Sequence, residues 1–139
     1  MKGISYLLLI ALLTIGLAMS ACSGQSDTSA PPSMGGYVDV TPQEAKALIG
    51  DNPDLIIIDV SPAYADGHLP GAVNYYAGDG SLDKAIPTLN KDGKYLVYCH
   101  VDSVSILGAQ KLVDAGFKTV YRLAGNYKAW VDAGYSVEK

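Results

Sequence analysis

The sequence predicts an α/β domain on a mostly parallel sheet, and three observations carry that reading. Strand-like and helix-like segments alternate at the spacing of βαβ crossovers. One strand-like run, LIIIDV at 55–60, is continuously apolar instead of alternating, as expected where both faces of a strand are covered, and YLVYC at 95–99 reads as a second buried strand. Glycines stand just past the helical stretches, at Gly50, Gly116 and Gly134.

The elements follow in order. YVDV at 37–40 reads as a first strand. TPQEAKALIG then supplies a set of helix signals: Thr41 as N-cap, Pro42 at the first helical position, and Glu44 three residues after the cap. Ala45, Leu48 and Ile49 share one face of that helix. DNPD at 51–54 is a turn, and AVNYY at 72–76 is a weaker strand after LIIIDV. SLDKAIPTL holds a helical turn or more before Pro87, and NKDGK is a turn into YLVYC. A helix is expected from about Ser105 to Ala115, a strand KTVYRL at 118–123, and a closing helix within 126–134. In such sheets a ligand sits outside the carboxyl ends of the strands, where Asp59–Ser61, Cys99–Ser105 and Leu123–Asn126 converge.

The 139 residues are expected to divide at 21/22 and 36/37. MKGISYLLLIALLTIGLAMSAC has a lysine at position 2, an apolar run from Ile4 to Met19 and small residues before Cys22, the grammar of a secretory signal over 1–21. The run is too short and too weakly flanked for a membrane span. AMSAC resembles the lipobox of bacterial lipoproteins, which implies cleavage before Cys22 and a lipid anchor on it. Residues 22–36 then form a Ser-, Gly- and Pro-rich tether, and the folded domain occupies 37–139. Ser23, where an aspartate is absent, resembles outer-membrane more than inner-membrane lipoproteins.

Removing residues 1–21 takes away Lys2 and no acid, so the formal charge of −4 becomes −5. An acidic domain lacks the basic footprint that nucleic acid requires. With Cys22 lipidated, Cys99 is the one thiol left and no intramolecular disulfide forms. One free cysteine and two scattered histidines make no metal site, and no glycine-rich turn for a dinucleotide follows the first strand. No metal and no cofactor is therefore expected.

Cys99 stands where a strand turns into a helix, in YCHVDSVS. Backbone N–H groups from His100 to Val104 can face the sulfur there, as a nest for an anion or a sulfur-borne charge. IIIDVSPAYADGHLPGAVN, this loop, and VYRLAGNYKAW together resemble the rhodanese-like domain, in the right order, from Val38 to Tyr135. That resemblance implies a single α/β domain with a five-stranded parallel sheet and helices on both faces. It also implies that Cys99 is the nucleophile, receiving a sulfane sulfur and passing it on as a persulfide, within a substrate cradle of His100, Val101, Asp102, Ser103, Val104 and Ser105.

The departures are as informative. Against the family's C-x-x-G-x-R-S loop, the glycine is Asp102 and the arginine is Val104; Ser61 replaces a second frequent arginine. Asp tolerates a left-handed backbone, so the turn is expected to survive. Its charge opposes a thiolate and an anionic donor, and the missing arginine removes the obvious cationic partner for thiosulfate. Arg122, the domain's one arginine, and Asp59 are candidate supporting residues; Ser105 is expected to cap the following helix. His100 is a candidate acid or base, His68 a structural turn residue, and Tyr75, Tyr76 and Tyr127 candidate walls of the cleft. A phosphatase-like site fails for want of the same arginine.

The expected activity is extracytoplasmic sulfur transfer from a small donor, polysulfide or a persulfide in preference to thiosulfate, to a thiol acceptor. Selenium species would use the same thiol. The competing expectation is a non-enzymatic rhodanese-like binding domain, tethered to the membrane in an envelope respiratory, electron-transfer or sulfur- and selenium-handling assembly.

Overall fold

The computed structural model describes residues 36–139; the expected signal segment, Cys22 and nearly all of the expected tether lie outside the described residues. Five strands and four helices follow one another: β1 (Val38–Val40), α1 (Pro42–Asp51), β2 (Ile56–Asp59), β3 (Val73–Asn74), α2 (Ser81–Ala85), β4 (Lys94–Tyr98), α3 (Asp102–Asp114), β5 (Thr119–Leu123) and α4 (Asn126–Asp132). Single 3-10 turns lie at Tyr64–Asp66 and Ile86–Thr88. All strand pairings are parallel, in the order β1-β5-β4-β2-β3.

The apolar runs become the middle of the sheet. In β4, Tyr95, Leu96, Val97 and Tyr98 are all fully buried, because α2 and α3 cover one face and α1 and α4 the other. One core joins Ile58, Val60, Leu82, Val97, Leu112 and Val120; the other joins Ala45, Ile57, Leu96, Leu123 and Trp130. Gly108 lets α3 approach the sheet: a Cβ there would lie 3.0 Å from both Val60 methyls. The N-terminus of α1 forms the predicted capping box, with the Thr41 N–H donating to Glu44 Oε2 at 2.7 Å and the Glu44 N–H to Thr41 Oγ1 at 3.3 Å.

Three boundaries depart from expectation. Helix α1 does not stop before Gly50 but runs through it to Asp51, where Asn52 caps the end with its N–H and Nδ2 both donating to the Leu48 carbonyl. The strand expected over 72–76 is only Val73–Asn74; beyond it the Tyr75 and Ala77 N–H groups donate to the Asp59 and Val60 carbonyls at 2.9 and 3.2 Å, and the Asn74 side chain donates to the Asp59 and Ser61 carbonyls, 2.9 Å each. The helix expected to begin near Ser105 begins at Asp102. Val101 occupies its N-cap position without a side-chain hydrogen bond, and an acidic residue in the first turn suits the positive end of the helix. Ser105 is therefore not a cap. It lies buried in the helix, its hydroxyl donating to the Asp102 carbonyl at 2.9 Å.

Candidate active site

Parallel strands place their carboxyl ends together, so Asp59 ends β2, Cys99 follows β4, and Asn126 opens α4 just after β5. Cys99 is 1% exposed and belongs to the core that α3 covers. Its thiol faces the backbone N–H groups of Val101 and His100. Burial pushes the thiol above its ordinary range; those two N–H groups pull it down, and the charge of Asp59 adds to the rise. The cradle is shorter than expected from the sequence, because the Ser105 N–H is spent inside α3, on the Val101 carbonyl at 3.2 Å.

Asp102 neither stands in a left-handed turn nor points its charge freely at the loop. Among the described non-glycine residues only Asn126 has a positive φ, 60°. Asn126 directly follows Gly125, whose own φ is 73°. Its side chain closes the site: Oδ1 accepts the Cys99 N–H at 3.2 Å, and Nδ2 donates to Asp102 Oδ1 at 2.9 Å. Sequence reading missed Asn126 as a site residue, and an amide side chain directly after the glycine of LAGN, in a segment expected at the strand ends, was the available signal.

Arg122 is buried on β5 and reaches the start of α3. Its Nε and Nη2 donate to the two carboxylate oxygens of Asp39 at 2.7 and 2.8 Å, and its Nη1 donates to Asp102 at 2.5 Å and to the Ser105 hydroxyl at 3.2 Å. Hydrogen bonding to Arg122, then its charge, hold the Asp102 carboxyl below its usual range, with the Asn126 amide adding to this. Hydrogen bonding to Asp39 raises Arg122 further above its already high range. One guanidinium is thus shared by two carboxylates, and this arginine has no charge to spare for an anionic substrate.

On the other face of β2 and β4, Asp59 is fully buried, with Oδ1 accepting the Ser61 N–H at 2.8 Å. It therefore fixes its own turn and makes no hydrogen bond to the Cys99 loop. His100 lies over Tyr127, ring centroids 4.2 Å apart, and the Tyr127 N–H donates to the Cys99 carbonyl at 3.0 Å. Of the three candidate wall tyrosines, Tyr127 comes to the loop; Tyr75 packs into the α3-side core, and Tyr76 folds over Gly78. His68 stacks on Tyr64 at 3.7 Å and bridges the backbone of Glu138, holding the C-terminal segment. At the loop mouth Val101 is 56% exposed, and Val104 is half-buried against the core. Ser103 is exposed beside them.

The buried thiol thus lies under two backbone N–H groups, and the nearby Arg122 guanidinium is already paired with Asp39 and Asp102. The family model for the rhodanese-like domain matches residues 41–133. The thiosulfate sulfurtransferase GlpE of Glaesserella parasuis is 26% identical over 102 residues, covering 73% of this chain and 94% of that protein. The protein of the same name from Coxiella burnetii is 31% identical over 96 residues, covering 68% and 87%. A crystal structure of the Alr3790 protein from Anabaena sp. matches with a TM-score of 0.65 at 28% identity, over 71% of this chain and 90% of that one. Matched from the Thr41 cap to the end of α4, with its cysteine at the end of the central strand, the chain belongs to the rhodanese-like sulfurtransferase family.

Proposed function

We propose that this protein moves sulfane sulfur through a Cys99 persulfide, taking it from polysulfide or a persulfide and delivering it to a thiol. The observation that supports this choice of donor is the commitment of Arg122 to Asp39 and Asp102. In the first step the Cys99 thiolate attacks the terminal sulfur of R–S–SH. The Sγ–S bond forms, the donor S–S bond breaks, and its electron pair leaves on R–S⁻. In the second, an acceptor thiolate attacks that outer sulfur, and the Sγ–S bond returns its electrons to Cys99. The His100 and Val101 N–H groups stabilise the charge on Sγ at both stages.

We further propose, from the apolar run and AMSAC, that the mature chain begins at Cys22 and is anchored by lipid to a bacterial envelope membrane, the outer in preference to the inner. Burial of Cys99 favours one second reading, a rhodanese-like binding domain within an envelope assembly. Intact mass of the full chain after incubation with polysulfide separates the two. Under the transfer reading a sulfur adduct forms with polysulfide, is weak or missing with thiosulfate, and is lost in Cys99→Ser. No adduct with either donor leaves the binding reading. For the anchor, Cys22→Ser is expected to shift the protein from the membrane to the soluble fraction; retention on the membrane rejects it.

A further inference from the structure

The two sides of Cys99 differ in how their polar groups are matched. Toward α3, Asp102, Arg122, Asn126 and Asp39 pair with one another. Toward α4, Asp59 Oδ2 and His100 Nε2 are both buried and both without a hydrogen-bond partner, and they face each other at 4.0 Å. The stack on Tyr127, with planes 14° apart, holds the imidazole in that orientation. Two desolvated polar atoms are costly, and a proton on the imidazole gives the Asp59 carboxylate an opposite charge at ion-pair distance, longer than a hydrogen bond.

We propose that His100 carries the proton balancing Asp59, and that this pair, a fully buried carboxylate and a partly buried imidazolium, governs Cys99 reactivity by cancelling the negative charge nearest the sulfur. His100 and Asp59 are then positioning residues, acting through the field and the loop geometry. The other groups around the pair are consistent with this. Tyr98 on β4 accepts the Leu69 N–H at 3.0 Å, and its hydroxyl is held above its ordinary range by burial first and then by Asp59. Tyr64 lies beyond Tyr98, and Tyr127 offers a ring face. At the start of α3, Arg122 is shared between Asp102 and Asp39, and both carboxylates are held there by hydrogen bonds to it. Among the described residues, His100 is the one basic side chain within ion-pair distance of Asp59.

The pairing does not depend on sulfur transfer; only its catalytic consequence rests on Cys99 being the sulfur carrier. It is tested without any sulfur donor, by the pH profile of Cys99 alkylation on the full chain, followed at that residue by peptide mass spectrometry. His100→Gln strips the balancing charge from Asp59, so the profile moves to higher pH and the rate at neutral pH falls roughly three- to tenfold. Asp59→Asn removes the negative charge and with it the reason for the imidazole proton, so the pair stays neutral overall and the profile stays within about twofold of wild type. Adding Asp59→Asn to His100→Gln likewise returns the profile close to wild type. Rescue of His100→Gln by the second substitution is not what a purely structural role gives. A double variant as slow as His100→Gln alone overturns the proposal. Because substitution at buried Asp59 can unfold the chain, the ring ¹⁵N shifts of His100 in the unmodified protein serve as a second reading. An imidazolium signature at neutral pH supports the pair, and a neutral ring overturns it.

Discussion

Replacing Asp102 with glycine and Val104 with arginine together is expected to raise kcat/KM for thiosulfate by roughly a hundredfold. Either change alone is expected to give about tenfold. The argument is electrostatic. Asp39, Asp102 and Arg122 now sum to one negative charge behind the loop. Deleting Asp102 brings the cluster to neutrality, and Arg122 stays in place on Asp39 through two hydrogen bonds of 2.7 and 2.8 Å. An arginine at 104, in the first turn of α3, adds a positive charge where the loop mouth opens. One charge placed or removed within ~8 Å of a dianion, screened by the surrounding water, is expected to change the rate by roughly tenfold. The half-buried position of Val104 allows a long side chain to lay its stem along the core and put its head in water. The gain should shrink as salt is added. Steady-state kinetics with thiosulfate check it. A double variant that still forms the polysulfide adduct but gains nothing with thiosulfate shows that charge is not what limits this donor.

Trp130→Ala is expected to cost about 3–5 kcal/mol of stability. The melting temperature should then fall by more than about 10 °C. Trp130 is 1% exposed and fills the core between the sheet and α1, with Ala45, Leu96 and Leu123 among its neighbours. Its Nε1 donates to the Ser136 carbonyl at 2.8 Å, and Tyr135 lies against it with ring centroids 4.8 Å apart. Truncation thus leaves a cavity and also frees the chain leading to the Glu138–His68 bridge. Val131, the next residue, is 43% exposed, and Val131→Ala should change stability by about 0.5 kcal/mol or less. Thermal and denaturant unfolding of the two variants side by side provide the measurement. A Trp130→Ala loss under about 1 kcal/mol would mean that the α4 face is not part of the cooperative core.

The fold was largely legible because its signals are local. Continuous apolar runs marked β2 and β4 as covered strands, the Thr41 and Glu44 pattern marked the start of α1, and a cysteine at the end of YLVYC marked the site. Each rests on residues within a few positions of one another. The beginning of α3 was misplaced by three residues because Ser105 carries a capping signature, whereas the chain starts its helix at Asp102, whose carboxylate is tied to Arg122 and Asn126.

What the chain alone determined, then, is the order of strands and helices, the position of the thiol at a sheet end, and the loss of the loop's glycine and arginine. Tertiary structure decided what those losses mean. Arg122 meets Asp39 across 83 residues and Asp102 across 20, and Asn126 meets Cys99 across 27. The facing of Asp59 and His100 likewise depends on β2 and β4 being neighbours in the sheet. Local sequence sets backbone preference over a few residues, but the partner of a charge is set by which strand ends the sheet brings together. An aspartate that looks, in YCHVDSVS, like a free negative charge beside a nucleophile is in the folded protein half of an ion pair.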